Sequence, residues 1–170
     1  AYDLADALCR SAKTRNRERE RNHGSSSWLD AQIALDSLGE PLDHMRRKYD
    51  RPDAHLDWRP WQVTPVSGES ASWSELGALF MLFGELPRSQ RRYLMDALAA
   101  GDAAASTALS HLVFRGRELP TRVGNQILEH GWRVMRPRLD AGSDKVTPLY
   151  DPLEFYDYAW EVAESGEATG

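Results

Sequence analysis

SWSELGALFMLFGELPRSQRRYLMDALAAGDAAASTALSHLVF, residues 72–114, decides the fold. Three apolar runs are separated by residues that stop and restart helices. Ser72 and Glu75 form a capping box in front of Trp73, Leu76, Leu79, Phe80 and Phe83, and Gly84 and Pro87 end that run. Its near-continuous hydrophobicity predicts the central buried helix, with Phe80 as a core aromatic. Residues 88–100 predict the next helix, with Tyr93, Leu94, Met95 and Leu98 turned inward; Gly101 closes it and Asp102 caps a third over residues 103–114.

The same grammar extends in both directions. After Pro120 the spacing of Val123, Ile127 and Val134 predicts a longer helix ending at Pro137, and a last helix covers about 152–164. Upstream, Leu4, Leu8 and Ala12, with Cys9 beside them on the apolar face, begin a helix that Asn22, His23 and Gly24 end. The basic end of this segment, residues 1–24, has no apolar stripe and is expected to project into solvent. Ser25, Ser26 and Ser27 offer N-caps to a second helix burying Trp28, Ile33, Leu35 and Leu38 before Gly39, and Pro41 opens a short helix through Leu42, Met45 and Tyr49.

Residues 50–71 break the pattern. Pro52, Pro60 and Pro65 are too dense for a helix, yet Trp58, Trp61 and Val63 are anchors that a flexible linker would lack. This irregular segment is expected to be fastened across the helical core. Neither the alternation of a strand nor an internal repeat is evident, so the fold class read from sequence is all-α. The expected architecture is a compact single-domain helical bundle of about seven helices.

Composition fits that class. The chain has 170 residues, of which 41% are hydrophobic and 28% charged, and a single core of this size buries about 70% of the unfolded chain's surface. One cysteine excludes an internal disulfide, which suits a reducing, cytoplasmic setting. No stretch approaches the ~20 apolar residues of a membrane span.

The net charge of −5 is unevenly distributed. Residues 10–21 hold six basic and two acidic side chains, whereas residues 140–170 hold eight acidic side chains and one basic, Lys145. Such segregation speaks to macromolecular partners rather than to fold.

Residues capable of chemistry form no recognisable constellation. Asp43 beside His44, and His55 near Asp57, lack the spacing that places two ligands on one helix face. Cys9 on an apolar face is expected to be packing rather than a nucleophile. No phosphate-cradling glycine loop or nucleophile elbow occurs. No catalytic residue, metal or cofactor is therefore expected, and the chain reads as non-enzymatic.

Two surfaces suit macromolecules. In the acidic aromatic C-terminal segment, residues 140–170, one helical stripe is Leu153, Tyr156, Trp160 and Ala163, and a second holds Phe155, Tyr158 or Ala159, and Val162. If the second stripe stays exposed, Phe155, Tyr158 and Trp160 with Asp157 and Glu161 have the anchors and rim of a protein interface. The function read from sequence is accordingly an inhibitor or adaptor that engages a protein partner there, its carboxylates imitating nucleic-acid phosphates, with homo-oligomerisation as a further use. The alternative places the acidic face against the arginines of residues 88–138 within the same molecule. The second surface comprises Arg15, Arg17, Arg19 and Arg21, with Arg115, Arg117 and Arg122 at an interhelical turn. It defines an alternative function, a nucleic-acid-binding regulatory protein, although Glu18 and Glu20 interrupt the run.

Overall fold

In the computed structural model, residues 2–23, 26–34, 39–51, 54–63, 73–114, 134–138 and 142–166 are described. Helix dominates them: α1 (Tyr2–His23), α2 (Leu42–Arg46), α3 (Trp73–Gly84), α4 (Arg88–Ala100), α5 (Asp102–Phe114) and α6 (Tyr150–Gly166). A 3-10 turn, Arg47–Tyr49, continues α2. The strands are β1 (Trp28–Leu29), β2 (Trp61–Gln62), β3 (Val134–Arg138) and β4 (Gly142–Val146). The chain divides into two compact units, one of Ala1–Leu76 with Arg133–Pro148, the other of Gly77–Trp132 with Leu149–Gly170.

The second unit follows the periodicity of its sequence. Leu94, Ala97 and Leu98 of α4 and Ala105, Ala108 and Leu109 of α5 are buried together with Phe83, Leu86, Leu149 and Leu153. Gly101 joins α4 to α5 at φ 112°, in the left-handed region that glycine adopts without cost. Its carbonyl accepts the Ala105 amide at 2.9 Å, and Ala105 and Ala108 bring the α5 backbone close to its neighbours. Helix α3 is not buried on every side. Phe83 is fully buried, Phe80 only half-buried, and Met81 is 71% exposed. Tyr93, expected inward, is 45% exposed because it lies off the Leu94–Leu98 face of α4.

The first unit departs further from expectation. Residues 26–34 do not form a helix: Trp28 and Leu29 pair antiparallel with Gln62 and Trp61, and the Val63 amide donates to the Ser27 carbonyl at 2.8 Å. The reason lies in the next residues. Asp30 Oδ1 accepts its neighbour's amide, that of Ala31, at 2.9 Å, a local bond that competes with helix. The Ala31 carbonyl, which a helix would give to an amide four residues on, instead accepts Arg59 at 3.1 Å and Arg46 at 3.3 Å. Leu35 and Leu38 lie outside the described residues.

Strands also overturn the expectation of none. β3 and β4 form an antiparallel ladder from Val134↔Val146 to Arg138↔Gly142, so Val134 and Pro137 belong to a strand and not to the end of a helix. Proline is tolerated there because a two-stranded ladder has only edge strands. His55 adds to β4: its amide donates to the Lys145 carbonyl at 2.8 Å and its carbonyl accepts the Thr147 amide at 3.1 Å.

Trp58 and Trp61 are 2% exposed and share the first unit's interior with Met45, Tyr49, Leu56, Leu76 and Val146. Trp61 meets Trp73 edge-on, with ring centroids 6.2 Å apart. Arg59, at 1% exposure, is buried among them. Its guanidinium lies 4.7 Å from the centre of the Tyr49 ring and also donates to Gln32 Oε1 at 3.4 Å. The Pro/Trp segment thus carries a cation into the interior, where carbonyls and an aromatic face take the place of water.

Candidate functional site

The C-terminal surface is built on α6. Helix α6 begins at Tyr150, two residues before the expected start, and Asp151, Pro152 and Leu153 of its first turn are buried. Tyr156 then settles against α3 and α4. Its ring lies 6.3 Å from that of Phe80, and the Arg91 guanidinium stacks over it at 4.1 Å. Gly84 makes room: a Cβ there would sit 2.9 Å from the Tyr156 hydroxyl. In the sequence Gly84 reads only as a helix stop; nothing local to it signals a tyrosine some seventy positions downstream.

Asp157, next along, lies between two cations of α4. Arg88 approaches one carboxylate oxygen at 3.2 Å and Arg91 the other at 3.3 Å. Arg91, whose side chain is 14% exposed, is further fixed by donating to the Leu86 carbonyl at 2.6 Å. The first turn of α4 has no acidic residue of its own, and its N-cap, Pro87, supplies no side-chain bond. Asp157 brings negative charge to that end of the helix, where the macrodipole favours it. For this one residue the arrangement is the internal docking of carboxylate on arginine.

Tyr158 has a different environment. Two residues beyond Tyr156, it is rotated about 200° around the helix, and it is 42% exposed. Phe155 is half-buried. Trp160 and Glu161 are within α6, but their side chains fall outside the description.

The basic candidates separate. Positions 15 and 19 of α1 share one face and positions 17 and 21 another, since alternate residues of a helix diverge by about 200°. Arg15 stands over Trp28 at 5.8 Å, and the nearby Asn16 Oδ1 accepts the Ser26 amide at 3.1 Å, so this face of α1 turns to the β1 region. Arg17 is exposed, as are Arg10 and Lys13 three and four positions apart on the same face. For Arg19 and Arg21 only the helical backbone is described, and Arg115, Arg117 and Arg122 lie outside the described residues.

The other candidates are readily placed. Cys9 is exposed, contrary to the expected packing role, because it lies off the Leu4–Leu8 face. His55 Nδ1 lies 2.8 Å from Asp50 Oδ1 rather than being gathered with Asp57. His44 is exposed; His111, also exposed, has Nδ1 3.4 Å from the Tyr93 hydroxyl. Among the described residues no three His, Cys, Asp or Glu side chains come together in a group able to hold a metal ion, and no helix is long and apolar enough to cross a membrane. No protein-family model matches the chain, and neither a curated protein nor a solved structure matches it.

Proposed function

We propose that this protein acts by binding a protein partner through the outward side of α6, as an inhibitor or adaptor, without catalysing a reaction. The observation that carries this reading is Tyr158: it is 42% exposed on a helix held from the other side by Leu153, Tyr156 and Asp157. A large aromatic on a firmly seated helix loses little conformational freedom on binding, which is the property of an interface anchor. Phe155 lies three positions before it and adjoins the anchor. Asp157, engaged by Arg88 and Arg91, contributes to seating the helix; Glu161 supplies charge that steers encounter and imitates phosphate.

The test is affinity capture from the native host, with and without nuclease, by the original chain and by Tyr158→Ala. A partner that survives nuclease and is lost from a variant of unchanged melting temperature supports the reading. Retention by the variant contradicts it.

A second reading, binding to nucleic acid, is favoured by one observation, the shared exposed face of Arg10, Lys13 and Arg17 on α1. Replacing Lys13 and Arg17 by Gln should then weaken RNA binding and flatten its salt dependence, since fewer counterions are released.

A further inference from the structure

Arg88 and Arg91, one turn apart on α4, direct their guanidinium groups at the two oxygens of a single anion, the Asp157 carboxylate. A phosphodiester also offers two non-bridging oxygens on one atom, and guanidinium pairs take either group in this manner. Arg91 is set in advance by the Leu86 carbonyl and the Tyr156 ring. The anion is less firmly held. Both contacts to Asp157 exceed 3.1 Å, its side chain is 42% exposed and that of Arg88 is 74% exposed. Rotation of one aspartate side chain would clear the site while Leu153 and Tyr156 keep α6 in place.

We infer that Arg88 and Arg91 form a binding site for a backbone phosphate of single-stranded nucleic acid, and that Asp157 occupies it as an internal competitor. The acidic segment then sets the affinity of the basic helix, so that removing one carboxylate uncovers binding. This site is separate from the Tyr158 surface and from α1, and its failure leaves both readings standing.

The experiment measures fluorescence anisotropy of labelled oligodeoxythymidine with the full chain across a salt series. Asp157→Asn should bind roughly fivefold more tightly at low salt. The slope of log affinity against log salt should steepen by about 0.7, the increment for one added phosphate contact on a single strand. Adding Arg88→Gln, a change at an exposed side chain, should cancel the gain. Asp43→Asn removes the same charge from an exposed position in the other unit and should leave affinity nearly unchanged. The proposal is overturned if Asp157→Asn binds no more tightly than the original chain, if Asp43→Asn gains as much, or if the gain survives Arg88→Gln. Circular dichroism on each variant establishes that the fold is retained.

Discussion

The two units reach a buried interior by different means. In Gly77–Trp132 with Leu149–Gly170, helices carry leucines and alanines at helical spacing, and the polar groups of the backbone satisfy one another inside each helix. In Ala1–Leu76 with Arg133–Pro148, short strands and irregular segments leave backbone carbonyls that must be satisfied from elsewhere. Two arginines, Arg46 and Arg59, supply much of what is needed around Ala31. One unit is thus specified by periodicity, and the other by particular long-range polar contacts among residues that are individually unremarkable in sequence.

That contrast is open to experiment, beginning with its largest expected effects. Phe83→Ala should cost about 3 to 5 kcal/mol, the range for a buried aromatic reduced to a cavity, and Phe80→Ala distinctly less, because Phe80 is only half-buried. Equal losses in denaturant melts would mean that the buried face of α3 has been misplaced. In the first unit, Arg59→Ala should cost about 2 to 3 kcal/mol, by leaving the Ala31 carbonyl and Gln32 short of a charged donor in a dry site. A neutral result there would show that aromatic packing alone holds the Pro/Trp segment, and the contrast between the units would fall.

How far each unit is legible in sequence follows the same division. The bounds of α4 and α5 are written in Pro87, Gly101 and Asp102, local signals whose meaning does not depend on distant residues. Trp58 and Trp61, legible in sequence as apolar anchors, are both buried in the interior of the first unit. Over residues 28–34 the expected helix fails for a physical reason. What keeps residues 26–34 out of a helix is pairing with Trp61 and Gln62 and bonds from Arg46 and Arg59, up to 34 positions away. The β3–β4 ladder is hidden in the sequence because Val134 also satisfies a helical stripe, and Pro137 reads as a helix stop as readily as an edge-strand residue. At the candidate site, the acidic and aromatic composition of α6 was readable, whereas the partners of Asp157 and the clearance at Gly84 depend on tertiary packing.

Smaller effects probe the seating of α6. Gly84→Ala should destabilise by about 1 kcal/mol as the Tyr156 hydroxyl is pushed aside. In a Tyr156→Phe background, which removes that hydroxyl, the cost should largely vanish. Two independent, additive losses would show that the residues do not share a contact. Asp157→Asn should change stability by less than about 1 kcal/mol, because Asp157 and Arg88 are both solvent-exposed and their attraction is screened.

What α6 presents outward is tested with least ambiguity by Tyr158→Ala. Melting temperature and capture of the nuclease-resistant partner are measured on the same preparation. Melting temperature should stay within about 2 °C of the original, since a surface truncation rarely exceeds about 0.5 kcal/mol, while capture is lost. A variant that melts normally and still captures its partner would contradict the proposed role of α6.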